Sequence, residues 1–173
     1  HGRGGQGVVT AAELLASAAF FDGKETQAFP TFGSERMGAP VASFVRIADK
    51  KIRIRSQIYE PDYVIVQDPT LIGTVDVFAG LKEGGLVLIN TEKTPEQMNL
   101  KNLSNVRTIP ATQIALEILG RPIPNTVMLG AFAGLTNLVT MEGIKKAMTQ
   151  RFKAEMVDKN MQAALKSFEM IKK

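Results

Sequence analysis

Four glycines occur within the first seven residues of the chain, HGRGGQG, and a helix-forming run follows immediately. Glycine permits positive φ angles and has no Cβ to obstruct a ligand. A helix that begins just after such a loop directs free N–H groups and the positive end of its dipole toward the loop. This opening loop (residues 1–7) therefore suits an anionic guest, such as a phosphate, a diphosphate or a carboxylate.

The spacing of Gly2, Gly4 and Gly7 matches the G-x-G-x-x-G fingerprint of dinucleotide sites. That fingerprint requires a preceding strand and an acidic residue about 20 positions later, at the end of the next strand. Asp22 and Glu25 instead lie in the turn before the next expected strand. The spacing alone leaves two interpretations open: an anion-binding loop, or a tight strand-to-helix turn.

If the opening loop binds an anion, Gly4, Gly5, Gln6 and Gly7 are the residues expected to contact it. The Gln6 amide can donate and accept hydrogen bonds to a ligand, or it can simply bond to its own loop. Thr10, in the first helical turn, can add a hydroxyl, although a threonine bonded to the preceding turn is more common.

A second loop, PTFGSERMGAP, runs between Pro30 and Pro40. Arg36 is its candidate clamp, because a guanidinium binds phosphate or carboxylate bidentately. Glu35 could orient Arg36; alternatively the two form a surface ion pair worth at most about 1 kcal/mol. Phe32 and Met37 could make a subunit contact or pack over a cofactor.

Composition excludes several chemistries. The 173 residues, expected to form one domain, include no cysteine and a single histidine, so neither a thiolate-held iron–sulfur cluster nor a His-rich metal site is available. A basic patch contains Lys50, Lys51, Arg53 and Arg55; it could meet phosphate or form one face of an exposed strand. We expect neither a membrane span nor a signal peptide, and the net charge is modest, so neither membrane nor nucleic acid is expected as a partner and a cytoplasmic location is expected.

Hydrophobic patterning predicts an α/β fold: a three-layer α/β/α sandwich with a mixed, mostly parallel central sheet and a helical C-terminal third. The runs YVIVQD and GLVLIN are continuously apolar, which is typical of adjacent parallel strands buried at the centre of a sheet. We expect a crossover helix between them, from Pro69 to Leu81, and a hairpin across Asp49-Lys50. The remaining expected helices cover residues 8–21, 111–119, 125–139, 141–152 and 154–172.

Several segments resemble, in order, the gamma subunit (domain III-like) of pyruvate/2-oxoacid:ferredoxin oxidoreductases. The two most specific are HGRGGQGVVTAAELLA and FPTFGSERMGAPV, and RSQIYEPDYVIVQDPTL, GGLVLIN and PNTVMLGAFAG follow. The resemblance covers nearly the whole chain. The family pattern has a strand immediately before the His-Gly pair, so we expect that His1 is not the native start.

The resemblance implies oxidative decarboxylation of a 2-oxoacid, most readily pyruvate, with coenzyme A (CoA), giving acyl-CoA, carbon dioxide and reduced ferredoxin. It implies alpha, beta and delta-type partner subunits that carry thiamine diphosphate, Mg²⁺ and iron–sulfur clusters, with ferredoxin as acceptor. This chain would contribute CoA binding and assembly. The alternatives are a stand-alone nucleotide- or acyl-CoA-binding module and a purely structural scaffold; co-purifying chains would discriminate them.

Overall fold

The computed structural model describes residues 1–31, 36–100 and 102–172. The strands are β1 (Gly2–Arg3), β2 (Glu25–Pro30), β3 (Pro40–Val41), β4 (Ser43–Ala48), β5 (Tyr63–Val66), β6 (Leu86–Asn90) and β7 (Val106–Ile109). The helices are α1 (Val8–Phe21), α2 (Pro95–Met98), α3 (Ala111–Leu119), α4 (Asn125–Thr136), α5 (Met141–Arg151) and α6 (Ala154–Ile171).

Strands β5, β6 and β7 form a parallel sheet in that order, with Val66 opposite Ile89. The prediction that YVIVQD and GLVLIN are adjacent and parallel is confirmed. Only β6 is central, however, because β5 is the end strand of this ladder. Beyond β5 lies the backbone of His1, which donates to Ile65 O and accepts from Gln67 N, both at 2.7 Å, in the pattern of a parallel pair.

The sheet lies between two layers, as the sequence predicted. Leu88 packs into the larger core with α1 and the helices from α3 to α6, whereas Val87 and Ile89 pack into a smaller core on the other face. The expected crossover helix over residues 69–81 is wrong: this segment forms a 3₁₀ turn (Pro69–Leu71) and further turns. Gly73 and Gly80 interrupt it, because both adopt the left-handed region, with φ of 88° and 70°.

The predicted hairpin across Asp49-Lys50 is also wrong. Strand β4 pairs antiparallel with β2. Phe29 of β2 lies opposite Phe44 of β4, and their rings stack with centroids 5.4 Å apart. Arg46 also crosses to β2, donating to Gln27 Oε1 at 2.8 Å. Residues 51–55 have no regular secondary structure. Burial explains the choice, because pairing with β2 lets Val45 and the neighbouring Ile47 pack on the larger core.

The C-terminal third is helical, as predicted, and α4 packs tightly on α6. A Cβ on Gly130 would lie 1.9 Å from the carbonyl oxygen of Ala164, so the two backbones approach as closely as glycine allows. Buried polar groups bridge the same helices: Thr126 Oγ1 donates to Asn160 Oδ1 at 2.9 Å, and Ser167 Oγ donates to Val127 O at 2.7 Å. The small residues of α4 therefore form internal core.

Within the described residues, none of the helices is long and apolar enough to span a bilayer.

Candidate functional site

The opening loop lies at the carboxyl end of the parallel sheet. It connects β1 to α1, and Gly7 is the N-cap residue of that helix. Gln6 Nε2 donates to Asp68 Oδ2 at 2.7 Å, and Asp68 follows the carboxyl end of β5. Open α/β sheets bind ligands in the crevice beyond the carboxyl ends of their strands. The tertiary structure thus places the opening loop where such a ligand would sit.

The opening loop and the second loop contact each other directly. Gly4 N donates to Ala39 O at 2.9 Å, and Gly38 N donates to Gly4 O at 3.0 Å. Strand β1 also pairs antiparallel with β3, which places Gly2 opposite Val41. We call the two segments, residues 1–7 and 36–41, the loop pair. The loop pair forms one backbone-bonded unit, although the bonded residues Gly4 and Gly38 are 34 positions apart in the chain.

The glycines of the opening loop are required by contacts within the chain. A Cβ on Gly4 would lie 2.1 Å from Arg36 O, and one on Gly5 would lie 2.4 Å from Met37 Sδ. Gly5 and Gly7 also have positive φ angles of 93° and 73°. The space beside these glycines is filled by the protein itself, so the tight-turn interpretation explains their residue type without a ligand.

Both polar atoms of the Gln6 side-chain amide form hydrogen bonds within the chain. Its Oε1 accepts from Arg3 N at 2.7 Å, while its Nε2 donates to Asp68. The alternative in which this amide bonds to its own loop therefore describes what the structure shows. Gln6 ties the opening loop to β5, and any ligand contact through its amide would replace one of these two bonds.

Arg3 connects three segments, and sequence reasoning did not select it. Its guanidinium donates to Thr70 Oγ1 at 2.9 and 3.1 Å and to Gly38 O at 3.0 Å, and its Nε lies 3.3 Å from Asp68 Oδ2. One side chain thus holds the loop pair against the segment after β5. The only sequence signal was an arginine among the glycines of the motif, because its partners lie 35 to 67 residues away.

Asp68 is the ionised centre of this cluster, with a side chain 12% exposed. Burial by itself raises the pKa of its carboxyl group. Hydrogen bonds from the Thr70 hydroxyl, Gln6 and the Thr70 amide, together with the positive charge of Arg3, outweigh burial and hold the pKa below its ordinary value. The carboxylate is therefore ionised at neutral pH, when it accepts all of these bonds.

The remaining predicted residues lie near the same surface. The Arg36 side chain is exposed, and its carbonyl oxygen faces Gly4. Met37 is 86% exposed and covers Gly5. Thr10 is half-buried in the first turn of α1. Glu35, expected to orient Arg36, and Phe32 lie outside the described residues.

Two helices begin at this point. Asn125, the first residue of α4, directs its Nδ2 to Gly7 O at 3.4 Å. An α-helix leaves the N–H groups of its first turn without intrahelical acceptors. Within the described parts of the chain, no side chain caps the N-terminus of α1, whereas at α4 the Thr126 N–H donates to Asn125 Oδ1 at 2.8 Å. Together with the exposed Arg36, the free donors of α1 can bind an anionic group.

No cluster of three or more potential metal ligands is found among the described residues. A cleft of about 410 Å³ lies at the opposite, amino end of the strands and is lined by Asp62, Lys82 and Gly85 among others. Arg36, Met37 and Gly38 of the loop pair are exposed, so this surface is open to solvent.

The whole chain matches a known family. A model of the pyruvate ferredoxin/flavodoxin oxidoreductase family matches residues 1–170. The chain is 58% identical over 174 residues to pyruvate synthase subunit PorC of Methanocaldococcus jannaschii, covering 100% of this chain and 96% of that protein. It is 56% identical to the common gamma subunit of the pyruvate/ketoisovalerate oxidoreductases of Thermococcus litoralis, covering 98% and 93%.

Solved structures show the same architecture. The crystal structure of pyruvate oxidoreductase subunit PORC from Thermotoga maritima superposes with a TM-score of 0.86 at 38% identity, covering 97% of this chain and 92% of that one. The 2-oxoglutarate:ferredoxin oxidoreductase of Magnetococcus marinus, solved with 2-oxoglutarate, coenzyme A and succinyl-CoA bound, has a TM-score of 0.76 at 23% identity. This chain covers 30% of that one, and the likeness shows the fold alone.

The fold and the loop pair define an α/β protein whose two joined loops lie at the carboxyl end of a parallel sheet. The chain belongs to the pyruvate ferredoxin/flavodoxin oxidoreductase family, as a gamma-type subunit of a multi-subunit 2-oxoacid:ferredoxin oxidoreductase. The family resemblance found in the sequence is confirmed. The assignment as a gamma-type subunit is therefore preferred to the alternative of a stand-alone binding module.

Proposed function

We propose that this chain serves a pyruvate-type oxidoreductase by contributing the loop pair to the binding of CoA. The complex would oxidise a 2-oxoacid with CoA to acyl-CoA and carbon dioxide, and pass the electrons to ferredoxin. The observation that carries the proposal is the convergence of Arg36, the opening loop and the start of α1 at the carboxyl end of the sheet. The Magnetococcus enzyme, which shares this fold, was solved with coenzyme A bound.

The phosphates of CoA match the donors on this surface. Arg36 supplies an exposed cation, and the first turn of α1 supplies N–H groups and a positive dipole end. We assign Gly4, Gly5 and Gly7 the task of holding the loop pair in shape, with Thr10 beside the free N–H groups. A partner subunit would supply the other side of the CoA site.

The redox and decarboxylation chemistry belongs to the partners in this proposal. A chain without cysteine supplies no thiolates for an iron–sulfur cluster, and its single histidine is His1. Thiamine diphosphate, Mg²⁺ and the clusters would be held by alpha, beta and delta-type subunits. The chain purified alone should therefore lack the visible absorption of a cluster, and a brown, cluster-loaded preparation would contradict this division.

The choice of 2-oxoacid would also lie with another subunit. The Thermococcus relative is a gamma subunit common to pyruvate and ketoisovalerate oxidoreductases, so that one chain serves two substrates. By the same logic this chain would recognise the shared substrate, CoA, and a partner would recognise the 2-oxoacid.

The test uses Arg36→Ala in the assembled enzyme. Loss of a charge-assisted contact of about 1.5–3 kcal/mol should raise the Michaelis constant for CoA roughly 10- to 150-fold. Decarboxylation measured without CoA should not change. Arg121→Ala, an exposed arginine after α3, is the matched control. Gly5 is a poor test position, since any side chain there meets Met37 and a positive φ. An unchanged CoA constant in intact Arg36→Ala complex would remove the loop pair from the CoA site.

A further inference from the structure

Residues 50–55, which we call the basic arm, carry Lys50, Lys51, Arg53 and Arg55, and all four side chains are exposed. No described carboxylate lies within the 4.0 Å ion-pair distance of any of them. The whole chain has 21 Lys and Arg against 17 Asp and Glu, an excess of four. The four positive charges of the arm therefore equal the whole excess of basic over acidic side chains in the chain.

The arm is held at both ends. Asp49, just before it, forms an ion pair with Lys24. Just after it, Arg46 donates to the carbonyl oxygens of Ser56 at 2.6 Å and Gln57 at 3.2 Å. Arg46 itself lies over the Phe29 ring, 5.3 Å from the centroid. These contacts fix where the arm leaves and rejoins the β2–β4 sheet, so its position on the surface is defined.

The sequence of the arm is that of a strand, but the strand has no partner within the described chain. Ile52 and Ile54 alternate with Arg53 and Arg55, the period of a half-buried strand. No ladder forms over residues 51–55, and Ile54 is 60% exposed. Tyr59, shortly after the arm, is 71% exposed. A strand pattern with exposed apolar residues and unpaired charges of one sign fits a surface that is completed by another chain.

We propose that the basic arm docks on an acidic surface of a partner subunit of the same oxidoreductase, adding to the edge of a sheet there. The Lys and Arg side chains of the arm would face carboxylates of the partner subunit, and Ile52 and Ile54 would cover apolar surface on it. The proposal rests on the assignment of this chain to a multi-subunit complex, and it is independent of the CoA contacts assigned to the loop pair.

The main test compares two charge-matched variants in reconstitution with the partner subunits. The arm variant carries Lys50→Glu, Lys51→Glu, Arg53→Glu and Arg55→Glu. The control variant carries four reversals at exposed positions in the helical part: Arg121→Glu, Lys145→Glu, Lys153→Glu and Lys159→Glu. Since like charges facing each other across an interface cost several kcal/mol, we expect the arm variant to assemble roughly 100-fold more weakly or worse, and the control to assemble normally.

Two further measurements keep the test decisive. Circular dichroism must show both variants folded; if the arm variant is not, the milder pair Arg53→Gln and Arg55→Gln replaces it, with a smaller expected loss. Hydrogen exchange on the wild-type complex should show amides 51–55 protected on assembly, and assembly should weaken with added salt. Assembly of the arm variant with unchanged affinity, or unprotected amides in the complex, overturns the proposal.

Other occupants give distinct results. If the arm variant assembles normally but loses affinity for ferredoxin or for a polynucleotide, the arm serves that partner and the proposal is wrong. A failure of the CoA assignment is separable, because it appears as an unchanged CoA constant in Arg36→Ala complex that assembles normally.

Discussion

The guanidinium of Arg3 lies 3.3 Å from the carboxylate of Asp68, and this pair joins the opening loop to the end of β5. Both side chains have further partners, since Arg3 also donates to Gly38 O and Asp68 accepts from Gln6 and Thr70. The pair therefore stands at the point where the sheet, the opening loop and the second loop meet.

Replacing Arg3 by Gln should destabilise the chain. Asp68 would keep its mostly buried charge but lose its cation, which costs about 1–2 kcal/mol after allowance for the partly exposed Arg3. Denaturant unfolding at neutral pH measures the loss. The control is Lys82→Gln, which breaks the more exposed pair with Asp62 and should cost less than the Arg3 variant does. Equal losses for the two variants would contradict a special role for Arg3.

Stability should depend on pH through Asp68. Its pKa in the folded chain is lower than the ordinary 3.8, so the unfolded chain binds the proton more readily. The stabilisation is therefore fully present above about pH 4 and is lost as pH falls through the lower folded value. We expect the difference in unfolding free energy between wild type and Asp68→Asn to shrink in that acid range. If that free-energy difference instead grows as the pH falls, folding raises the pKa of Asp68, and the prediction is wrong.

Gly4→Ala should separate the two halves of the loop pair. The new Cβ would meet the backbone oxygen of Arg36, which cannot rotate away as a flexible side chain could, and we expect a loss of about 1–3 kcal/mol. Hydrogen exchange should show the amide of residue 4, normally bonded to Ala39, losing protection. In Gly38→Ala, where a Cβ meets only open space, that amide should stay protected despite a strained φ of 76°. Retained protection in the Gly4 variant would contradict the contact.

Gly130→Ala tests the α4–α6 contact. Alanine normally gains about 1 kcal/mol over glycine in a helix interior, but here its Cβ would lie 1.9 Å from Ala164 O. We expect a net destabilisation of about 1–3 kcal/mol, measured as a lower melting temperature. Gln162→Ala, exposed on α6, should change stability by less than about 0.5 kcal/mol. A higher melting temperature for the glycine variant would show that the helices can separate at little cost.

The sequence alone predicted those helices and strands whose type and bounds depend on their own residues. Helix α1 begins and ends where its apolar run and flanking glycines predict, and Thr140, just before α5, caps that helix by accepting from Gly143 N at 2.9 Å. The buried strands β5 and β6 were recognisable from continuous apolar runs, because a strand covered on both faces has no polar side. The two glycine- and proline-rich motifs were likewise enough to indicate the family.

Only the tertiary structure decided how distant segments meet. The period-2 pattern of residues 51–55 predicts a strand, but pairing needs a partner edge, and β4 pairs with β2 instead. The opening glycines suggest room for a ligand, yet Arg36, Met37 and Asn125 fill the space beside them. Arg3 could not be selected, since its role depends on Gly38, Asp68 and Thr70. Periodicity reports which face of an element is buried, and the contacts between elements depend on packing that no local window contains.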